Sequence, residues 1–160
     1  MTTRIKIRRA AAEDAAAVRE IVLRALREVN ARDYPASVID RLAATLPDRV
    51  AGTLRLAHAF VATDEGRVVG TGSLTGRTVT SVFVNPEDIG RGVGAKLLDA
   101  IESAAKEKSE TTLELHSSVT ACEFYRKRRF AVVREDFLGE ERVIVMSKRL
   151  ASSLDRGEGS

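Results

Sequence analysis

Apolar positions change their period several times along this chain, and each change marks an element. Ile5 and Ile7 alternate with charged residues, as on a half-buried strand. Val18, Ile21, Val22, Ala25, Leu26 and Val29 then recur at helical spacing and predict a helix over residues 12–29. After a turn-prone stretch, Asn30 to Pro35, the stripe Val38, Ile39, Leu42 and Leu46 predicts a second helix, with Ser37 as its cap, Asp40 three residues on, and Pro47 as its end. Three β-rich segments follow, Ala57–Thr63, Arg67–Leu74 and Thr78–Val84, the first two joined through Asp64-Glu65-Gly66 as a hairpin. Val93, Leu97, Leu98, Ile101 and Ala105 share one face of a third helix that runs to about Lys108. Thr111–His116 reads as a strand, Val119–Arg128 as a short helix, and the runs Ala131–Arg134 and Arg142–Ser147 as a closing pair of strands. The order β-α-α-β-β-β-α-β-α-β-β defines an α/β class with a mixed, mostly antiparallel sheet flanked by about four helices. No linker or repeat divides it, so one domain is expected over residues 1–150, with 151–160 as a frayed tail.

Composition narrows the class. Apolar residues make up 44% and charged residues 31%, which excludes a disordered chain and a membrane protein. The opening Met-Thr-Thr-Arg-Ile-Lys lacks the apolar core of a signal peptide, so a cytoplasmic location and no membrane partner are expected. Cys122 is alone, and His58 and His116 lie far apart, which argues against a disulfide and against a bound metal. A net charge of +3 helps attract a polyanion without implying nucleic acid, and bases are spread evenly among acids.

Candidate chemistry concentrates in Val82-Phe83-Val84-Asn85-Pro86-Glu87-Asp88-Ile89-Gly90-Arg91-Gly92-Val93-Gly94, a β-rich run stopped by proline and followed by alternating glycines that open a helix. Glycines let a ligand approach the backbone, and free N–H groups at a helix start favour an anion such as a pyrophosphate. A P-loop requires Gly-Lys-Ser/Thr, whereas Ala95 and Lys96 follow Gly94 here. A dinucleotide fold places its glycines near the first strand, whereas these lie past mid-chain.

That order of elements, with the cradle after the fourth strand, resembles the GNAT superfamily of acyl-CoA-dependent N-acyltransferases. Ile89-Gly90-Arg91-Gly92-Val93-Gly94 resembles the family's (Gln/Arg)-Gly-x-Gly-x-(Gly/Ala) pyrophosphate loop. Ser118-x-x-Ala121-x-x-Phe124-Tyr125-x-x-x-Arg129-Phe130 is similar to its Asn-x-x-Ala-x-x-Phe-Tyr-x-x-x-Gly-Phe segment. The resemblance spans residues 3 to about 150 and implies acetyl-CoA as co-substrate, held by Phe83, Val84, Ile89, Gly90, Arg91, Gly92, Val93, Gly94, Ser118, Ala121 and Phe124. Three departures stand out. Ile89 replaces Gln or Arg, Ser118 replaces Asn but keeps a capping side chain, and Arg129 occupies a helix-ending position where the left-handed conformation comes easily only to glycine.

Acyl transfer to an amine needs a proton acceptor and a donor for the departing thiolate. The resemblance makes Tyr125 the donor. The acceptor is less defined, since Thr78–Val84 holds no carboxylate. His116 and Glu114 alternate with Leu113 and Leu115 and point to the opposite face, which makes His116 the candidate base beside a water chain. Cys122 has no neighbouring base and reads as a packed thiol, and Arg126-Lys127-Arg128-Arg129 reads as cations at a helix C-terminus. Asn30–Pro35 and Asp136–Glu141 are expected to line the acceptor pocket, with Glu135, Asp136, Glu140 and Glu141 beside a loop that draws in a cationic amine. The expected activity is acetyl transfer to a primary amine of a small molecule or peptide by direct attack in a ternary complex, in a monomer or a homodimer. The rivals are a catalytically idle CoA-binding module and a tRNA-directed acetyltransferase toxin.

Overall fold

The structure is a computed structural model that describes residues 4–56 and 58–151. Seven strands form one sheet, β1 (Ile5–Arg9), β2 (Ala59–Asp64), β3 (Arg67–Thr75), β4 (Thr78–Val84), β5 (Thr112–Ser118), β6 (Ala131–Leu138) and β7 (Glu141–Arg149), in the spatial order β1-β2-β3-β4-β5-β7-β6. All neighbouring pairs are antiparallel except β4 with β5. The four α-helices are α1 (Ala15–Glu28), α2 (Ala36–Gly52), α3 (Val93–Glu107) and α4 (Cys122–Lys127).

Helical periodicity explains the layers. Val18, Val22 and Leu26 of α1 bury with Val50 of α2 and Val61 of β2 on one side of the sheet, and Phe83 of β4 packs there too. Leu98, Ile101 and Ala105 of α3 bury on the other side with Leu113 and Leu115 of β5, Met146 of β7, and Tyr125 and Phe130. Both faces of the sheet are thus covered at its centre, which is why β7 reads as a continuous apolar run from Val143 to Met146 rather than as an alternating one.

The expected elements occur in the expected order, with local differences. The first helix begins as a single 3-10 turn, Ala12–Asp14. Pro47 lies inside α2 instead of ending it. A proline in a helix interior costs about 3 kcal/mol through its missing donor and ring clash, and burial of Val50 and Leu54 beyond it offsets that cost. Ser37 does not cap this helix: Pro35 is the cap residue, and the Ser37 hydroxyl donates to Glu140 at 2.9 Å. β5 continues to Ser118, and α4 is confined to Cys122–Lys127. β6 and β7 are longer than expected, so Glu135 and Asp136 belong to a strand and only Gly139 and Glu140 form the turn. The expected tail lies, from residue 152 on, outside the described residues, as does Ala57.

Arg129 adopts φ +74°, in the left-handed region. The chain turns back immediately after α4 so that Phe130 can bury against Tyr125, with Phe130 N–H donating to the Tyr125 carbonyl at 3.0 Å. A side chain in this conformation costs on the order of 1 kcal/mol relative to glycine. Arg129→Gly should therefore raise stability by about that amount, offset in part by glycine's greater unfolded-state freedom, read as a higher melting temperature in circular dichroism. A lower melting temperature would show that Arg129 makes compensating contacts.

Candidate functional site

The cradle rests on a buried polar scaffold. After β4 the chain makes a 3-10 turn, Pro86–Asp88, and reaches α3 through Ile89 to Gly92. Asn85 and Asp88 are buried. Asn85 Nδ2 donates to Asp88 Oδ2 at 2.9 Å, Arg91 donates to Asp88 Oδ1 at 2.7 Å, and Arg67 approaches the same carboxylate at 3.5 Å. Arg24 of α1 donates to Asn85 Oδ1 at 3.0 Å, which ties this turn to the opposite layer. Burial alone pushes the Asp88 carboxyl upward, but the donors from Asn85, Arg91 and Arg67 outweigh it and hold it below its ordinary value of 3.8.

Gly90 and Gly92 have φ +90° and +80°, so these positions need glycine for their backbone geometry. Gly94 has a different reason: a Cβ there would stand 3.2 Å from the Phe124 ring, and its absence lets α4 pack onto α3. The two sequence motifs meet at this contact. The Arg91 side chain is held by Asp64 and Asp88, at 3.0 and 2.7 Å, which leaves its backbone for a ligand. Ile89 is 54% exposed and lines an open groove of about 490 Å³ with Glu28, Val29, Arg32, Pro86 and Glu87. Val93 is buried under α3.

Beside the cradle the sheet opens. β4 and β5 pair only at Thr78 with Glu114 and Val79 with Leu115, after which β5 continues on β7 alone and β4 on β3 alone. The edge of β4 from Thr80 to Val84 that faces β5 is therefore left without a strand partner. Within it Ser81 adopts φ +60°, unusual for a non-glycine residue, where the β3–β4 register shifts between Thr71 and Ser73. Phe83 packs toward α1 and Val84 toward α3, so their backbones rather than their side chains are free to meet a ligand. Nothing in the sequence around Ser81 signals this bulge, since serine is ordinary in a strand.

Across the opening, the Ser118 hydroxyl accepts from Ala121 N–H at 3.1 Å and so fixes the turn that begins α4. Tyr125 is buried in the cluster that holds Val79 and Val82 of β4 and Leu115 of β5, edge-on to Phe124 and Phe130 at 5.1 and 5.6 Å. Its hydroxyl makes no hydrogen bond among the described residues, and burial pushes the phenol well above its ordinary range.

His116 is exposed on the face opposite Leu113 and Leu115, which bury against α3, and so lies on the α1–α2 side of the sheet. It is not brought to Tyr125. Glu114 pairs with Arg77 at 3.1 Å. Tyr34 is the residue whose role sequence context does not reveal: its hydroxyl donates to the Arg142 carbonyl and accepts from Val119 N–H, both at 2.8 Å, joining the segment before α2 to β7 and to the β5–α4 loop. Three carboxylates of the acidic stretch are paired with cations, Glu135 with Arg142, Asp136 with Arg134 and Glu141 with Arg41, while Glu140 accepts from the Ser37 hydroxyl. Cys122 is half-buried at a separate surface pocket with Arg126 and Arg142. Among the described residues, no three His, Cys, Asp or Glu side chains gather as a metal ion needs, and no helix is long and apolar enough to cross a membrane.

The chain is thus an α/β protein whose glycine turn opens a helix beside a sheet parted between its two parallel strands. The model of the acetyltransferase (GNAT) domain matches residues 35–149, and the chain belongs to that family. Among solved structures it is similar to a GCN5-related N-acetyltransferase from Rhodopseudomonas palustris, with 29% identity and a TM-score of 0.84 over 94% of this chain and 98% of that one. The fold is shared by the PaiA N-acetyltransferase of Thermoplasma acidophilum in complex with coenzyme A (19% identity, TM-score 0.71, 94% and 100% covered). It is shared too by YncA of Salmonella typhimurium with acetyl-CoA (22%, 0.65, 94% and 96%). A comparison with curated proteins gives no match.

The scaffold under the cradle has a pH signature. Because the folded-state pKa of Asp88 is depressed, its contribution to stability is fully present above the ordinary value of 3.8 and is lost as pH falls through the lower folded value. Asp88→Asn should lower stability near neutral pH by about 1–3 kcal/mol. It should also flatten the melting-temperature profile below about pH 4 relative to the parental chain. Parallel acid profiles for the two proteins would exclude Asp88 as the anchor.

Proposed function

We propose that this protein transfers an acetyl group from acetyl-CoA to a primary amine by direct attack in a ternary complex. The observation that supports the reading is the parting of β4 from β5 after Val79, beside the glycine turn that opens α3, with Tyr125 buried in the cluster that also holds Val79 and Val82 of β4. Acetyl-CoA, when bound, supplies an activated thioester acetyl group. The chain's groups fit it. The backbone N–H groups of Ile89 to Gly94 meet the pyrophosphate at the helix start. Ser118, Ala121 and Phe124 shape the far wall, and the free edge of Thr80 to Val84 offers main-chain donors and acceptors, as an added strand would use.

Each residue then has a task. Tyr125, kept protonated by burial, holds a proton for the departing sulfur, and the dry surroundings that make a phenolate costly make a thiolate costly too. The strained turn at Ser81 re-aims β4 backbone groups within the opening. The amine's proton leaves through His116 or through water on the α1–α2 side. Thr78 to Val84 holds no carboxylate base, and this favours the second reading, an idle CoA-binding module. Turnover of acetyl-CoA with a panel of small-molecule and peptide amines, followed by thiol release, separates the two.

Two substitutions test the parts. Gly92→Glu should abolish acetyl-CoA binding in calorimetry. Gly92→Ala, which bears a similar backbone strain at φ +80° without the charge, should retain it. Equal affinities for both variants would move the pyrophosphate elsewhere. Tyr125→Phe keeps the ring between Phe124 and Phe130 but removes the proton, so kcat should fall by about 10² to 10⁴. Acetyl-CoA affinity and melting temperature should change little. Turnover at the parental rate would remove Tyr125 from the chemistry.

A further inference from the structure

We infer that Tyr34 is a positioning residue for Tyr125, its hydroxyl inserted at the end of the β5–β7 ladder so that β5 leaves the sheet where it does. The inference rests on the acid role proposed above for Tyr125. Thr112 to Ser118 pair in one unbroken register with Arg149 back to Val143, and just outside it the Leu150 N–H donates to the Thr111 carbonyl at 2.8 Å. Hydrogen-bonded and non-hydrogen-bonded pairs alternate along an antiparallel ladder. The pairs made by Thr111, Leu113, Leu115 and Ser117 are therefore of the bonded kind, and so is the next in line, Val119 with Arg142. A closed rung there has the Val119 N–H donating to the Arg142 carbonyl. The Tyr34 hydroxyl lies between these same two groups, accepting from one and donating to the other, at 2.8 Å each. Direct pairing stops one residue earlier, at Ser118 with Val143.

A hydroxyl suits this place because it both donates and accepts, so it ends the ladder and leaves neither backbone group unpaired. The insertion redirects β5. The Val119 carbonyl, which a closed rung gives to the Arg142 N–H, instead accepts from the Cys122 N–H at 3.4 Å. Ser118 accepts from the Ala121 N–H at 3.1 Å, and the Ala121 carbonyl accepts from the Tyr125 N–H at 3.2 Å. Successive hydrogen bonds thus lead from Tyr34, on the segment between α1 and α2, to the backbone that carries Tyr125. The glycine loop takes no part in them, since Asp88 holds it through Asn85, Arg91 and Arg67. Without the Tyr34 hydroxyl the Val119 rung is free to close, which lengthens β5 by one residue and draws the start of α4 toward β7. A displacement of about 1 Å costs a reacting group on the order of 10² in rate.

Tyr34→Phe tests this in the full chain, with folding checked by circular dichroism. Its kcat should fall by about 10- to 10²-fold while the KM for acetyl-CoA holds. In the Tyr125→Phe background the same change should cost no further kcat, because residues that act through one another are not additive. A parental kcat, a loss of equal size in both backgrounds, or a variant that unfolds or only weakens acetyl-CoA binding overturns the proposal. A second readout needs no turnover. The chain has two tyrosines, so Tyr125 is the sole one left in Tyr34→Phe, and its ring-proton resonances should shift from their parental positions. Unmoved resonances overturn the positioning. Shifted resonances together with parental turnover by Tyr125→Phe would strike the acid role and leave the positioning standing.

Discussion

The parting of β4 from β5 is the constraint on which the site depends. A sheet interior does not tolerate unpaired backbone groups, because each buried donor or acceptor without a partner costs about as much as a lost hydrogen bond. Here the two strands hold each other at Thr78 and Val79 and then diverge, while β5 goes on pairing with β7 as far as Ser118. The divergence is maintained from both sides. On one, the shifted β3–β4 register and the positive φ of Ser81 turn β4 away. On the other, the β5–α4 turn is fixed by Ser118 and Tyr34, and Tyr125, Phe124 and Phe130 fill the space beneath. A sheet built this way exposes a strand edge only where a ligand can complete it.

Holding the glycine loop in place is a separate problem with a separate solution. Glycines that reach positive φ are cheap to place but lose more conformational freedom on folding than other residues. The loop is therefore pinned from below, by Asp88 receiving donors from Asn85, Arg91 and Arg67, and by Arg24 reaching Asn85 from α1. The consequence is that Arg91, a cation within the motif, is spent on structure, so the proposed anion would be met by the loop's N–H groups and the start of α3. This also explains why Ile89 can replace a polar residue: its side chain is exposed at the rim and carries no part of the scaffold.

Much of this was legible in the sequence, for reasons that differ by element. The long periodic stripes of α1 and α3 bury as their spacing dictates, and the glycine run opens α3 as its position after a strand implies. Arg129 reads correctly because a helix-ending position has a conformational demand of its own. Pro47 misleads because local propensity yields to burial of Val50 beyond it, and Ser37 misleads because its hydroxyl serves Glu140 on a distant hairpin. Asn85, Asp88, Tyr34 and Ser81 are legible only in three dimensions. Arg24 lies far in sequence from Asn85, Arg67 from Asp88 and Val119 from Tyr34, and the role of Ser81 is a backbone angle that serine does not announce.

Tyr34 then bears on how an acceptor is recognised. Its hydroxyl joins three segments: the approach to α2, the start of the β5–α4 turn, and β7. Ser37–Glu140 and Arg41–Glu141 add two links between α2 and the β6–β7 hairpin. The wall on the α1–α2 side is therefore coupled to the turn that carries Tyr125, and Glu135, Asp136 and Glu141 are each paired with an arginine, while Glu140 meets only a neutral hydroxyl. Exposed pairs of this kind contribute little stability, about 0–1 kcal/mol each, but they lower the free negative charge on this side to that of Glu140. For an amine acceptor of the kind proposed, discrimination would then rest on shape and on the polar groups without an ionic partner, Glu140 and His116 among them.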